Sequence, residues 1–214
     1  MGQGGFSIVE WNAVAKADPK FQDTFIKCEN ELISLCDQSW APKKLGYLAP
    51  SAQQYGRTTI IPRLFANALG PGVAPLQTWR QAYIATGHQI ICQGNGTGST
   101  IPEDFKIGWV GLAFPNKSQQ FSELIWQIGD QRFGRINIEE IRDYKYPAII
   151  FDDSFTIDEE TSFILSGFLE GPIPENGPGA QVNRVYQRVV MLGSAYYRQV
   201  DRVLGNTGAV IPVI

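Results

Sequence analysis

The spacing of apolar residues changes once along the chain. Near the N-terminus, apolar side chains recur at steps of three and four, which is the period of an amphipathic helix. This stripe consists of Phe21, Phe25, Cys28, Leu32 and Leu35. Asp18-Pro19 stands just ahead of it as a start signal, and we predict that the helix ends near Asp37. Pro62 opens a second predicted short helix over residues 63–69.

From Leu76 onward the apolar period is close to two, which is typical of β-strands with one buried face. Turns rich in Gly, Pro and Asn separate the apolar segments. No helix-sized segment lies between them, so we predict an antiparallel sandwich or barrel and not a parallel sheet with crossover helices. The predicted strand segments are 78–92, 105–114, 121–128, 133–141, 147–157, 161–170 and 185–198.

These patterns divide the chain into three regions. Residues 1–75 are predicted to form an N-terminal arm with short helices, because the apolar groups there have little regular period. Residues 76–204 form the predicted β-sandwich, and residues 205–214 form an apolar C-terminal tail without a charged side chain. Contiguous exposed apolar surface usually marks an interface, so we predict that the arm and the tail contact neighbouring molecules.

The composition is that of a folded chain with many turns. The sequence has 214 residues, of which 43% are hydrophobic and 18% charged, with 22 Gly and 13 Pro. The net charge of −3 leaves no general basic surface, so we expect no sequence-specific nucleic-acid binding. No apolar run approaches the ~20 residues that span a bilayer, and we expect neither a transmembrane helix nor a standard secretion signal.

Cysteine and histidine are too few and too unevenly spaced for common sites. We predict that Cys28, Cys36 and Cys92 are buried thiols of a protein made in a reducing cytoplasm. His88 is the single histidine, and no zinc-site spacing or nucleophile elbow accompanies it. We therefore predict that His88 is a partly buried structural residue. We expect no metal, no cofactor and no catalytic residue, so the chain is not expected to be an enzyme.

Paired carboxylates allow two interpretations. Such groups can hold calcium or act as the acid/base pair of a glycosidase, and they occur at Asp152-Asp153, Asp158-Glu159-Glu160 and Glu139-Glu140. Adjacent residues on a strand point to opposite faces, so no doublet alone makes a pair. We predict solvated surface residues without catalytic duty. The alternative is a calcium clip that joins Asp152 to Asp158.

Aromatic residues also allow two interpretations. Trp79, Trp109 and Trp126 lie in predicted strands. Five tyrosines cluster at strand ends, namely Tyr144, Tyr146, Tyr186, Tyr196 and Tyr197. These rings either stack on sugars or fill a core, and we predict the core. The glycine-rich segment 94–100 lacks the lysine of a P-loop and leads into a strand. We predict a surface loop there and not a phosphate site.

The strand-rich region resembles viral jelly-roll capsid proteins. The resemblance rests on the runs 163–170 and 188–198, the Gly/Pro/Asn-rich loop 171–183 between them, and the preceding strands 105–114 and 121–128. It covers roughly residues 77–204 by strand pattern only, and the irregular N-terminal region is similar to that class as well. The resemblance implies an antiparallel β-sandwich of the jelly-roll type and no catalytic residues.

We therefore expect a structural virion protein, a capsid (coat) subunit that self-assembles as a homo-oligomer into a symmetric shell. Its expected partners are copies of itself, other capsid proteins and an internal membrane surface, and its expected location is the virion after synthesis in the host cytoplasm. The alternative is a carbohydrate-binding or receptor-binding β-sandwich module. A small hydrolase of the cupin or glycosidase type is a third interpretation, which the single histidine disfavours. The predicted assembly interface consists of Phe21, Phe25, Leu32, Leu35, Val210, Ile211, Val213 and Ile214.

Overall fold

The described part of the protein is mainly β, with two large antiparallel sheets, a two-stranded ribbon and one long helix. The computed structural model describes residues 6–10, 19–40, 55–68, 73–115, 119–144, 147–170 and 184–198. Strands are numbered β1 to β13 along the chain. The first sheet contains, in spatial order, β1 (Phe6–Glu10), β10 (Pro147–Ile157), β6 (Phe105–Ala113), β13 (Val190–Arg198) and β2 (Tyr55–Thr59).

The second sheet faces the first across the main core. In spatial order it contains β3 (Phe65–Ala66), β5 (Gly87–Gly94), β11 (Phe163–Leu169), β7 (Phe121–Ile128) and β8 (Gln131–Arg132), and β9 (Ile136–Asn137) also pairs with β7. A separate two-stranded ribbon, called the β4–β12 ribbon below, consists of β4 (Arg80–Tyr83) and β12 (Val185–Arg188).

Successive long strands alternate between the two sheets. β5 lies in the second sheet, β6 in the first, β7 in the second, β10 in the first, β11 in the second and β13 in the first. Because the connections between the long strands cross from one sheet to the other, long strands that are neighbours within a sheet are distant in sequence. The prediction of a mainly β, antiparallel chain is confirmed, and the strand order is consistent with a jelly roll.

Large aromatic side chains fill the core between the sheets. The Trp109 ring lies 4.8 Å from Phe151 of the same sheet and 5.4 Å from Trp126 of the opposite sheet, measured between ring centroids. Trp109 Nε1 donates a hydrogen bond to the Gly111 carbonyl oxygen at 2.7 Å, so the buried ring leaves no unpaired donor. Trp109 therefore fixes the spacing of the two sheets from within.

The helix α1 (Pro19–Trp40) forms a third layer on the outer face of the first sheet. Its buried residues recur every fourth position, so they share one face of the helix. They are Thr24, Cys28, Leu32, Cys36 and Trp40. On the sheet the last four of them meet apolar side chains of the three central strands, namely Val110, Ala113, Ala148, Ile150 and Leu192. Both faces of the first sheet are therefore buried, one by the second sheet and one by α1.

Gly108 of β6 sets the distance between α1 and the sheet. A Cβ at this position would overlap Cys28 Sγ and Leu32 Cδ1. The absence of a side chain lets the helix approach the strand closely, which is one of the uses of glycine in a strand. A larger residue at position 108 would force Cys28 and Leu32 to shift away from β6.

The N-terminal region belongs to the sandwich more than the sequence pattern predicts. β1 and β2 pair with the first sheet, and β3 pairs with the second. These strands are only two to five residues long, too short for a period of two to stand out. The division predicted at residue 75 therefore does not separate an arm from the sandwich in the described part of the chain.

Two element predictions are wrong in type, and the amphipathic helix is confirmed. The helix predicted over 63–69 is a 3-10 helix of three residues, Pro62–Leu64, because Phe65 pairs with Gly94 and begins β3. The strand predicted over 133–141 contains only the two residues of β9 and part of a 3-10 helix, Glu139–Asp143. In the described residues, no helix is long and apolar enough to cross a membrane.

We expect Gly108→Ala to destabilise the protein by about 1–3 kcal/mol, because the added methyl group overpacks the α1 interface. Urea unfolding followed by circular dichroism measures the change. Ser34→Ala on the exposed face of α1 is the control, and it should stay within about 0.5 kcal/mol of the parent. An equally small effect of Gly108→Ala would contradict the close approach described here.

Candidate functional site

The predicted interface residues on α1 do not share one environment. Leu32 is fully buried against the first sheet of its own chain, so the prediction that it contacts a neighbour is wrong. The cause is its place in the middle of the stripe that faces the sheet. Phe21, Phe25 and Leu35 are half-buried, and the Phe21 and Phe25 rings stack at 6.0 Å. These three residues still offer part of their surface to another molecule.

The other predicted interface residues belong to the C-terminal tail. They are Val210, Ile211, Val213 and Ile214, and they lie outside the described residues. Their role in assembly stays a prediction from the sequence.

Polar side chains hold α1 to the β2 and β13 edge of the first sheet. Glu29 binds Arg57 of β2 at 2.9 Å and accepts a hydrogen bond from the Tyr196 hydroxyl of β13 at 2.7 Å. Asp37 accepts a hydrogen bond from the Tyr55 hydroxyl at 2.8 Å. Burial is the main cause of a raised pKa of Tyr55, to about 12, and the bond to Asp37 adds to it. One side of the helix is therefore held by partly buried contacts.

Further polar contacts hold α1 to β10 on the other side. Lys27 binds Asp153 at 2.8 Å, and the Thr156 hydroxyl donates to Glu31 at 3.3 Å. The hydrogen bond to Asp153 raises the pKa of Lys27, and the same bond lowers the pKa of Asp153. Both groups are exposed, so this pair orients the helix more than it stabilises it.

Lys106 of β6 is a fully buried lysine beneath the C-terminal end of α1. Its ammonium group pairs with Asp158 and lies 3.5 Å from Glu159 Oε1. The Trp40 ring of α1 covers it, with Lys106 Nζ 4.9 Å from the ring centroid. The buried charge is therefore neutralised by two carboxylates and shielded from water by an aromatic ring.

Glu159 joins the helix to the β10–β11 turn. Its carboxylate accepts hydrogen bonds from Trp40 Nε1 at 3.2 and 3.3 Å and from the Asp104 backbone NH at 3.2 Å. The Glu159 side chain is 27% exposed, and that of Asp158 is 48% exposed. We call Lys106, Asp158, Glu159 and Trp40 the lysine cluster. It holds the C-terminal end of α1 against the first sheet.

The prediction that the four carboxylates of residues 152–159 are solvated surface residues is confirmed for two of them and wrong for the other two. Asp152 and Asp153 are exposed as predicted, whereas Asp158 and Glu159 are partly buried counter-ions of Lys106. The sequence contains little signal for this role, because a lysine inside an apolar strand cannot be assigned a partner from spacing alone. Among the described residues, no group of three His, Cys, Asp or Glu side chains could hold a metal ion.

The predicted thiols are buried and free, and His88 differs from its prediction. Cys28, Cys36 and Cys92 are almost completely buried, and Cys92 Sγ lies 3.8 Å from Met191 Sδ. His88 is exposed rather than partly buried, with its ring packed edge-on against Phe168 at 5.2 Å. It therefore lies on the outer face of the second sheet.

The tryptophans of the predicted strands are mainly core residues. Trp109 and Trp126 are 0% and 4% exposed, as predicted, so neither ring can stack on a sugar. Trp79 is half-buried and packs against Phe65 at 5.7 Å.

Four of the six exposed large apolar residues among those described form two surfaces that the sequence pattern does not single out. Ile26 and Ile33 lie on the outer face of α1, with 57% and 38% exposed. Ile84 and Tyr186 lie at the β4–β12 ribbon, with 63% and 47% exposed. The spacing of Ile26 and Ile33 by seven residues places them together on the helix, but the buried stripe dominates that signal.

Comparison with known proteins leaves these surfaces as the main guide to function. No protein family matches the chain, and neither does any curated protein or solved structure.

We expect the double substitution Asp158→Asn and Glu159→Gln to cost about 3 kcal/mol or more, because it leaves a buried ammonium group without a counter-ion. Lys106→Met keeps the apolar stem, and its two former partners can turn to water, so it should cost less than half as much. Chemical denaturation measures the stability of both variants and of the threefold variant that combines them. The threefold variant should be more stable than the double variant, because it no longer buries an ammonium group. A double variant as stable as Glu103→Gln, an exposed control, would show that the charges are not coupled.

We also expect the free energy of unfolding to fall as the pH rises from 9 towards 11. Burial raises the pKa of Cys28 to about 11 and that of Cys36 to about 12, from 9.0, so the native state keeps protons that the unfolded state releases. The contribution is complete below pH 9 and is lost above it, at up to about 1.4 kcal/mol per pH unit for each thiol.

Urea midpoints at pH 8 and pH 10.5 test this expectation. A Cys28→Ala/Cys36→Ala variant isolates the thiols from other groups that titrate in this range. Its loss of stability between the two pH values should be smaller than that of the parent. An equal loss in both proteins would assign the effect to other groups.

Proposed function

We propose that this chain is a structural subunit that self-assembles, and specifically a coat subunit of a virion. The observation that carries the proposal is the strand order. Strands β10, β6, β13 and β2 lie side by side in one sheet, and β5, β11, β7 and β8 in the other, with the connections alternating between sheets. This order is consistent with the jelly roll, a fold used by viral capsid proteins but also by lectin domains and cupins.

The rigidity of the subunit supports an assembly role. Shell subunits must present their contact surfaces in fixed relative positions, so that repeated contacts close into a symmetric object. Here α1 is held to three strands of the first sheet by apolar packing, by Glu29 and Asp37 on one side and by Lys27 on the other. The helix therefore contributes a fixed outer surface and is not a loose appendage.

Two separate exposed surfaces also support assembly. The outer face of α1 carries Ile26 and Ile33, and the β4–β12 ribbon carries Ile84 and Tyr186. Exposed apolar groups of this size are costly in water unless a partner covers them. Two different surfaces on one subunit allow head-to-tail contacts, which generate rings when the rotation closes.

The glycan-binding alternative has less support. Trp109 and Trp126, two of the rings on which it depended, lie in the core, although Tyr144 and Tyr186 are exposed. The carboxylate turn, its second element, contains Asp158 and Glu159, and both bind Lys106. We therefore propose copies of this chain as its principal partners and the virion as its location.

Size under native conditions tests the proposal directly. We expect the full chain at micromolar concentration to form closed oligomers or particles, measured by sedimentation velocity and by negative-stain electron microscopy. A concentration series serves as a control, because a specific assembly keeps one discrete size whereas loose aggregates grow with concentration. A chain that stays monomeric at every concentration and binds a glycan array would overturn the proposal in favour of the glycan-binding module.

A further inference from the structure

The β4–β12 ribbon presents a basic face to solvent. Side chains alternate along both strands, with Gln81, Tyr83 and Gln187 buried. The opposite face carries exposed residues only, and these include Arg80, Ala82, Tyr186 and Arg188. Ile84 and Arg184 flank the strands and are exposed as well. Three arginines therefore lie at one small surface of an otherwise acidic protein.

The arginines of this face lack acidic neighbours. Arg80 and Arg188 are directly opposite each other in the strand register. Like charges at opposed positions of a sheet destabilise it. In the part of the chain that the structure describes, no carboxylate lies within 4.0 Å of Arg80, Arg184 or Arg188. An external anionic group would relieve this repulsion.

The same face has the residue types that dominate protein interfaces. The Arg80 guanidinium lies 4.3 Å above the centre of the Tyr186 ring, which holds both side chains in place. Ile84 next to them is the most exposed large apolar residue among those described. Interface hot spots are enriched in arginine and aromatic residues, whereas nucleic-acid sites depend on broad positive charge. The composition therefore favours a protein partner.

The ribbon is anchored firmly enough to serve as a docking element. Gln81 Nε2 donates to the Ile91 carbonyl oxygen of β5, and Gln187 Oε1 accepts from the Gln120 backbone NH at 3.3 Å. The Tyr83 ring packs edge-on against Phe121 at 5.4 Å. These contacts hold the buried face against the second sheet, so the basic face is set before any partner arrives.

A complementary acidic surface exists on the same chain. The 3-10 helix Glu139–Asp143 exposes Glu139, Glu140 and Asp143. Its buried Ile141 anchors it to the core, and the Ile138 backbone NH donates to the Ser122 carbonyl oxygen at 2.8 Å. Within the described ranges, none of the three carboxylates forms an ion pair. We call this segment the acidic turn; it also contains Arg142, so its net charge is −2.

We infer that the basic face of the β4–β12 ribbon docks on the acidic turn of a second copy of this chain. The inference rests on the proposed function and assigns one of its contacts. Because the two surfaces differ, the contact can repeat from copy to copy, and such head-to-tail contacts form a ring when the rotation closes. A contact made by a few side chains is weak alone, but its repetition around a closed assembly makes it effective.

Charge reversal tests the contact. Arg80→Glu/Arg188→Glu and Glu139→Lys/Glu140→Lys should each raise the protein concentration needed for assembly by at least about tenfold, because each variant opposes like charges. Carrying all four substitutions in one chain reverses both surfaces and should restore assembly. Arg63→Glu/Arg132→Glu is the matched control, since it changes the net charge by the same amount at exposed positions elsewhere and should assemble like the parent. Sedimentation velocity measures assembly, and circular dichroism confirms folding.

The outcomes separate this inference from the proposed function. If the parent assembles and the Arg80→Glu/Arg188→Glu variant assembles equally well, the contact is wrong while the proposed function stands. If the variant fails but the fourfold variant is not restored, the acidic turn is not the partner and the inference is overturned. Loss of binding to a labelled single-stranded oligonucleotide, with assembly unchanged, would identify the basic face as a nucleic-acid site instead. A parent that never assembles would overturn the proposed function itself.

Discussion

The close seating of α1 on β6 is the constraint on which the rest of this structure depends. Gly108 allows the helix to come near enough for Leu32 to be completely buried. With the helix in place, apolar side chains on the outer face of β6, β10 and β13 are covered, and polar residues around the helix can reach their partners. The lysine cluster, the Glu29 contacts and the Lys27 pair all require this distance. A shift of α1 by the radius of one methyl group would disturb all three.

The middle and the C-terminal end of α1 are held by different kinds of ion pair, one exposed and one buried. Near its middle, the pairing of Lys27 with Asp153 occurs in water and contributes mainly orientation. At its C-terminal end, Lys106 is removed from water and depends on Asp158 and Glu159 for its charge balance. This arrangement fixes the position of α1 along β6, because Trp40, the only tryptophan of the helix, must lie above the Lys106 ammonium group. The contact selects one position of the helix among several that apolar packing alone would allow.

Long periodic segments were predictable from the sequence, and short or non-local features were not. The stripe from Phe21 to Leu35 predicted α1, and the alternation around Trp126 predicted β7. β2 and β3 were missed because two to five residues cannot establish a period. The direction in which the helix stripe faces was also missed, since a stripe has the same spacing whether it covers its own sheet or a neighbour. The partners of Lys106 lie some fifty residues away, so spacing alone carries no information about them.

The β4–β12 ribbon joins segments of the chain that are more than a hundred residues apart, as the pairing of Arg80 with Arg188 shows. Closing this loop costs conformational entropy, which the ribbon offsets when its buried face packs against the second sheet. The basic face therefore does not exist on a nascent or half-folded chain, because its arginines come from both strands. Any association that uses this face is restricted to molecules in which the two strands have paired, so this pairing would itself act as a checkpoint on which copies can join an assembly.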